Sequence, residues 1–428
     1  MDIEASLKKL FSLHTFGIKL GLENIQSFLN YLGNPQDKLK VFHIAGSNGK
    51  GSTAAFTASI LKEFGYKVGL YTSPHFVKFN ERIVINGVEI TDEYVGSFIS
   101  DFEKYIDENK LTFFEVATAM AFKYFGEQNV DYAVIETGLG GRLDATNVFP
   151  GGEYPQNPIA VIITSISLEH TNVLGKTIKA IAEEKSGIIK KHSKVFTGKI
   201  PDEALVVMEN KCKETGSQLF PIQEYLVEKE NSLELYTEEL ELDDWTMPLR
   251  GDYQKYNAAL ATLAVSKVLD TDDFGTIESG IKNVILNTGF QGRFEYYRKN
   301  PDIIFDSAHN PDGIINFLGE FRKDVSKYRK KILIFGAMND KAVKEMLIEL
   351  KNSFDEIYIT QVNMERSFKI DDLRKIASEI NLEVKPIGKP ADFIVEFEKQ
   401  STRDCLVVLG SMYLLGEVKS LLKEKKIA

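Results

Sequence analysis

Along the first forty residues, apolar positions recur at helical spacing. Leu7, Leu10 and Phe11 share one face, and Ile25, Phe28, Leu29 and Leu32 share another before Gly33-Asn34-Pro35 stops the pattern. Between them lies Phe16-Gly17-Ile18-Lys19-Leu20-Gly21-Leu22, too glycine-rich for a helix interior. The rhythm then changes. Val41-Phe42-His43-Ile44-Ala45 predicts a strand, residues 53–64 predict a helix closed by Gly65, and Lys67-Val68-Gly69-Leu70-Tyr71 predicts the next strand. Tyr132-Ala133-Val134-Ile135 and Ile159-Ala160-Val161-Ile162-Ile163 are continuous apolar runs, as expected for strands buried on both faces of a parallel sheet. Strand alternating with helix predicts a doubly wound, mostly parallel α/β sheet. Around 220–250, alternating apolar and acidic residues such as Ser232-Leu233-Glu234-Leu235-Tyr236 predict a small antiparallel excursion. Helix resumes at Tyr256-Asn257-Ala258-Ala259-Leu260-Ala261. After Gln291-Gly292-Arg293-Phe294-Glu295 a fresh alternation begins, with strands at Ile303-Ile304-Phe305, Ile332-Leu333-Ile334-Phe335, Ile357-Tyr358-Ile359 and Leu406-Val407-Val408-Leu409. The expected division is therefore an N-terminal domain over 1–292 and a smaller Rossmann-like α/β domain over 293–428.

Composition narrows the function classes. With 428 residues, 43% hydrophobic and 27% charged, the chain is ordinary globular material for two or three cores. A net charge of −10 argues against nucleic acid as a partner, so any anionic substrate must be met by locally gathered cations. Two distant cysteines, Cys212 and Cys405, support neither a disulfide framework nor a thiolate zinc site. Met1-Asp2-Ile3-Glu4 lacks a signal-peptide profile, and no apolar run approaches the ~18 residues that span a bilayer. The expectation is a cytoplasmic protein without a membrane partner.

The strand ending at Ala45 runs into Gly46-Ser47-Asn48-Gly49-Lys50-Gly51-Ser52 and then a helix. That order suits a phosphate cradle: glycines admit a close anion, backbone N–H groups and the helix N-terminus face it, and Lys50 adds a point charge. A Ser52 or Thr53 hydroxyl could hold Mg²⁺ or a phosphate. The fit to the common P-loop pattern is imperfect, because position 44 is Ile and Gly51 follows the lysine; a plain linking turn is the bland alternative. Further polar groups follow other strands, where ligands collect in open α/β sheets: Thr72-Ser73-Pro74-His75, the stretch from Glu136 to Asn147, Glu169-His170, and Asp306 through Gly313. Each has a second reading. Glu136 could cap the glycine turn, His170 could be structural, and Asp306 could cap the following loop. Lys185 looks like one charge on a solvated helix face, and His14, His43 and His192 have no supporting constellation.

In order along the chain, Leu20-Gly21-Leu22-Glu23-Asn24-Ile25, the 46–52 loop, Thr72-Ser73-Pro74-His75, residues 136–147, Glu184-Lys185-Ser186-Gly187-Ile188 and residues 306–313 resemble the folylpolyglutamate synthase/dihydrofolate synthase family of the Mur-ligase superfamily. The resemblance covers nearly the whole chain and accounts for the irregular loop, whose family form resembles Gly-Thr-Asn-Gly-Lys-Gly-Ser. It implies that Gly46, Ser47, Asn48, Gly49, Lys50, Gly51 and Ser52 hold ATP phosphates, and that Ser73, Glu136 and His170 ligate Mg²⁺. Lys185 matches a lysine carried as a carbamate, making Lys50, Lys185 and His170 the implied catalytic set. Asn257, Arg293 and Asp306 match nucleotide contacts, with His309 beside them. Gly21, Leu22, Asp144 and Ala145 match pterin-site positions, with Phe113 or Phe114 lining the pocket. The chain departs from the family at Gln291, where proline commonly precedes the Gly-Arg pair.

The implied reaction is amide ligation. A folate or dihydropteroate carboxylate attacks the ATP γ-phosphate, and the α-amine of L-glutamate attacks the resulting acyl phosphate. Positioning and charge neutralisation carry such chemistry without a Ser or Cys nucleophile. The chain is expected to act as a monomer. Three alternatives stand beside this reading: a monofunctional dihydrofolate synthase, another Mur-type amide ligase, and a non-enzymatic nucleotide-dependent switch. A peptidoglycan-precursor ligase would need an extra domain of ~100 residues ahead of a loop that here begins at Gly46.

Overall fold

The computed structural model describes residues 3–13, 21–149, 158–229, 232–235, 241–242, 247–400 and 403–427. His14, the residues 16–20 that open the expected glycine-rich loop, and Tyr236 lie outside them. The chain divides into two compact units, one of Met1–Pro74, Asn80–Pro248 and Gln254–Phe290, the other of His75–Phe79, Leu249–Tyr253 and Gln291–Ala428. Two short segments from within the N-terminal sequence thus belong to the second unit.

The first unit is built on an eight-stranded sheet of β1 (Val41–Ala45), β2 (Val68–Tyr71), β3 (Ile83–Ile85), β4 (Val88–Glu89), β5 (Tyr132–Glu136), β6 (Pro158–Ile163), β7 (Lys194–Thr197) and β8 (Gln218–Pro221). Their order is β4-β3-β2-β5-β1-β6-β7-β8. Pairing is parallel from β2 through β8 and antiparallel only at the β3 and β4 edge. Every residue of β1 is buried, as expected of a strand flanked by β5 and β6, and four of the five are apolar, with His43 the exception. Because the chain reaches β2 and β5 on one side of β1 and β6 on the other, a crevice for ligands opens at the carboxyl end of β1, where Gly46 begins.

The helix Lys50–Glu63 starts three residues earlier than its apolar pattern suggests, since Gly49 adopts a left-handed φ of 87° and lets the chain turn straight into the helix. Residues 51–61 of this helix are all buried, so it has no solvent face. One cover is the helix Phe274–Lys282, where a Cβ on Gly280 would lie 2.5 Å from Ile60 Cα. Ser59 Oγ also donates to Gly280 O at 2.6 Å. The antiparallel excursion is present as β9 (Leu226–Glu228), β10 (Leu233–Leu235) and β11 (Glu241–Leu242). Phe11, expected on the apolar face of the first helix, is exposed, whereas Leu10 is buried.

The second unit holds β12 (Glu295–Arg298), β13 (Asp302–Phe305), β14 (Lys331–Phe335), β15 (Glu356–Ile359), β16 (Lys385–Pro386) and β17 (Cys405–Leu409), in the order β12-β13-β17-β14-β15-β16. All pairs are parallel except β12 with β13. Two apolar layers cover the sheet, one around Phe317, Phe321, Leu333 and Leu347, the other around Phe305, Ile334, Leu406 and Leu415. Among the described residues, no helix is long and apolar enough to cross a membrane.

Candidate functional site

The loop after β1 is braced by the segment after β6. Ser47 N–H donates to Ser165 O at 2.8 Å, Ser165 and Thr164 hydroxyls donate to Asn48 O at 2.9 and 2.6 Å, and Ser47 Oγ accepts from Ser167 N–H at 3.0 Å. A Cβ on Gly46 would lie 1.9 Å from Thr164 Oγ1, so only glycine permits this approach. Thr164, Ser165 and Ser167 are members of the site that the sequence reading missed; a polar run directly after an apolar strand was their only signal. The first helical hydrogen bond runs from Thr53 N–H to Gly49 O at 2.9 Å, and the amides ahead of it are those a helix leaves without intrahelical partners. Lys50 Nζ donates to Gly46 O at 2.8 Å and Ser47 O at 3.2 Å, which fixes the ammonium over its own loop. Asn257, on the helix Asp252–Leu269, packs its amide where a Gly49 Cβ would stand, 2.5 Å away, and its Nδ2 donates to Gln254 Oε1 at 3.0 Å.

Glu136 ends β5 with its side chain buried, and one carboxylate oxygen accepts from Ser73 N–H at 2.9 Å. Both oxygens lie 3.7 Å from the Cβ position of Gly51, beside the first turn of the helix Lys50–Glu63. An anion held there opposes a bound phosphate unless a cation stands between them. The Glu136 carboxylate and the hydroxyl-bearing Ser73 are the hard oxygen donors that Mg²⁺ prefers, so these residues fit such an ion. His170, in a left-handed conformation with φ 44°, neighbours Glu169. Among the described residues, no three His, Cys, Asp or Glu side chains form a ready-made metal cluster.

Lys185 is not on a solvated face. Its side chain is 1% exposed and its Nζ meets Glu169 Oε1 at 2.8 Å. The helix Ile178–Ser186 turns this position inward because Gly141 and Arg142 pack on its last turn, with Arg142 N–H donating to Glu184 O at 2.7 Å. Burial pushes the Lys185 ammonium down to about 8; the Glu169 carboxylate opposes that push and the Lys50 charge adds to it. Burial alone would raise the Glu169 carboxyl, yet the Lys185 and Lys50 charges outweigh it and hold the group at about 2. Glu169 thus joins Thr164, Ser165 and Ser167 among the residues to which the sequence alone assigned no role.

A carboxyl held below its unfolded value of 4.5 binds fewer protons folded than unfolded, so its stabilisation is complete above pH 4.5 and is lost as pH falls toward 2. In carbonate-free buffer, the stability gap between the wild type and Glu169→Gln should therefore narrow across that window, because the amide does not titrate. Denaturant unfolding at stepped pH measures it; a gap constant from pH 5 to 2 would contradict the ion-pair account.

The sequence-predicted substrate residues divide into two places. Phe114, on the helix Phe113–Glu127, lays its ring over Gly138, where a Cβ would lie 2.5 Å from Cζ. Asp144 and Ala145 lie in the same loop, both buried. The Asp144 carboxylate is turned into its own loop and accepts from Leu139 N–H at 2.7 Å, Thr146 N–H at 3.0 Å and the Thr146 hydroxyl at 2.6 Å. Burial raises its pKa and these hydrogen bonds oppose the rise. Gly21 and Leu22 stand at the head of the helix Glu23–Tyr31, where Leu22 O accepts the first helical N–H from Gln26.

In the second unit, Asp306 is buried and accepts from Phe294 N–H at 2.7 Å and Ala308 N–H at 2.8 Å. Burial raises its pKa, opposed by the nearby Arg293 charge. His309 Nδ1 donates to Ser307 O at 2.9 Å. The cap of the following helix, Pro311–Asp324, is Asn310, whose Oδ1 accepts from Gly313 N–H; Asp306 does not fill that place.

Two family models match the chain: the Mur ligase middle domain over residues 44–265, and the Mur ligase, glutamate ligase domain over residues 292–412. The dihydrofolate synthase/folylpolyglutamate synthase of Bacillus subtilis is 32% identical over 425 residues, spanning 95% of this chain and 96% of its own. Among solved structures, Mycobacterium tuberculosis folylpolyglutamate synthase complexed with ADP and AMPPCP superposes with a TM-score of 0.86 at 27% identity, covering 98% of this chain and 99% of that one. Escherichia coli FolC in complex with DHPP and ADP gives the same TM-score and identity, covering 99% and 98%.

Proposed function

Because the chain belongs to the folylpolyglutamate synthase/dihydrofolate synthase family of Mur ligases, we propose that it joins L-glutamate to the carboxylate of a folate-type substrate with cleavage of ATP to ADP and phosphate. The observation that carries this reading is the braced 46–52 loop with Lys50 above it and the buried Glu136 carboxylate beside its helix.

In this reading a carboxylate oxygen of the substrate attacks the γ-phosphorus, the bond to ADP breaks, and an acyl phosphate forms. The glutamate α-amine then attacks the acyl carbon, phosphate leaves, and the amine gives up a proton. Lys50 and the amides at the start of the helix Lys50–Glu63 hold the triphosphate and take up charge as it shifts toward ADP. Mg²⁺ bound by Glu136, Ser73 and His170 would supply further charge neutralisation. The Lys185 amine, with its pKa pushed down to about 8, is suited to capture CO₂ as a carbamate, a carboxylate-like group beside the phosphate loop. Phe114 and the 138–147 loop are proposed to receive the pterin end, together with Gly21 and Leu22. Asn257 is proposed as a nucleotide contact, as are Arg293, Asp306 and His309 in the second unit.

The test is product formation by the purified protein with Mg-ATP and labelled glutamate, run separately on dihydropteroate and tetrahydrofolate. Incorporation on both is expected of a bifunctional synthase, and incorporation on one alone assigns a single activity. ATP binding without incorporation on either would sink the folate reading and leave a nucleotide-dependent switch or a different amide ligase.

A further inference from the structure

His43 lies in the middle of β1, fully buried, three residues ahead of the phosphate loop. Its Nε2 is 2.9 Å from Thr146 Oγ1, across 103 residues of sequence. The direction of that hydrogen bond is fixed by what lies beyond it. With Asp144 as a carboxylate, the form favoured by the two backbone N–H groups it accepts, the single Thr146 hydroxyl proton goes to Asp144 Oδ1 at 2.6 Å, so Thr146 Oγ1 accepts and the imidazole donates. The result is a one-way chain, His43 Nε2–H to Thr146 O–H to the Asp144 carboxylate. The opposite ring nitrogen, Nδ1, has no hydrogen-bond partner among the described residues although it is buried. A leucine or valine would fill the same place without orphaning a polar atom, so packing alone does not account for a histidine here. The groups around the ring are Thr146, Phe149, whose ring stands edge-on at 5.8 Å, and the Lys190 ammonium. Burial, helped by the Lys190 charge, pushes the imidazole down to about 3. It therefore stays neutral, with the donor in place, at the near-neutral pH of an activity assay.

We propose that His43 is a positioning residue that locks the 138–147 loop, through Thr146 and Asp144, in the form that receives the folate-type substrate. The inference rests on reading that loop as part of the substrate site. It gives Asp144 a different role from a direct ligand contact: its carboxylate organises the loop from within. It also ties the loop to the strand that leads into the phosphate cradle.

The test compares His43→Leu, Thr146→Val and their double variant with His43→Gln. The Gln side chain carries an N–H donor the same number of bonds from the main chain as Nε2. His43→Leu and Thr146→Val should each raise KM for the folate-type substrate about three- to tenfold, the range of one hydrogen bond in such a chain. The ADP dissociation constant, read by calorimetry, should stay unchanged. The double variant should be no worse than Thr146→Val, because the two act in series, and His43→Gln should restore KM toward wild type. An unaltered KM in His43→Leu, an ADP dissociation constant that rises in step with KM, additive effects, or a Gln variant as impaired as Leu would each overturn the inference. A wild type inactive on both pterin substrates would sink the functional reading and this inference with it, whereas an active wild type beside an unaffected His43→Leu overturns the inference alone.

Discussion

Replacing Lys50 with methionine is expected to lower glutamate-dependent ADP formation by about a hundred- to a thousandfold, the loss typical when one preorganised charge-stabilising group is removed. Methionine keeps much of the apolar stem and removes only the charge and the two hydrogen bonds to Gly46 O and Ser47 O. The brace from Thr164, Ser165 and Ser167 does not involve the lysine side chain, so the loop itself should persist and the melting temperature should change little. Lys50→Arg should recover only part of the rate, since a planar guanidinium cannot stand in for a compact ammonium in a cradle of converging carbonyls. A second readout comes from Lys185, whose pKa the Lys50 charge helps to depress. In Lys50→Met that group should titrate higher than in wild type, which ¹³C-labelled lysine NMR can follow. Ligation at the wild-type rate in Lys50→Met would show that the triphosphate is held elsewhere.

The strands and the phosphate loop were legible because local chemistry dictates them. A strand covered on both faces is built mainly from apolar residues, as Ala133, Val134 and Ile135 of β5 and Ala160, Val161, Ile162 and Ile163 of β6 show. A backbone that approaches a threonine hydroxyl as closely as Gly46 does cannot carry a side chain. What stayed hidden was decided by partners far away in sequence. Lys185 reads as a surface charge among Glu183, Glu184 and Ser186, and only the packing of Gly141 and Arg142 against that turn shows that it faces inward. His43 gives no signal of its own, because its partner is a threonine, a residue with no metal-binding or nucleophilic pattern to notice. The membership of residues 75–79 and 249–253 in the second unit was equally silent. Phe76 packs against Gly292 and Gly416, and Arg250 meets Glu320 and Asp324, contacts that no periodicity within a five-residue segment can announce.

Lys185→Ala is expected to abolish most ligation, and the pattern of its rescue separates the two chemical forms of this lysine. As an ammonium, Lys185 neutralises Glu169 in a buried pair. As the proposed carbamate, it adds a negative group there, formed when the amine lone pair attacks CO₂, a C–N bond closes and one proton leaves. Only the neutral amine can react. At pH 8 an ordinary lysine near 10.4 is neutral in about 0.4% of molecules, whereas one pushed down to about 8 is neutral in about half. The site therefore favours capture near physiological pH, and activity that depends on it should rise with pH through about 8 and fall when CO₂ is stripped from the buffer. If the carbamate is the working form, short carboxylates such as acetate or formate should restore part of the activity of Lys185→Ala. Lys185→Arg, which preserves the cation for Glu169 but cannot be carbamoylated at a free amine, should stay inactive. Should Lys185→Arg instead keep its activity while carboxylates fail to rescue Lys185→Ala, the working form is the ammonium, and the depressed pKa reflects burial of an ion pair alone.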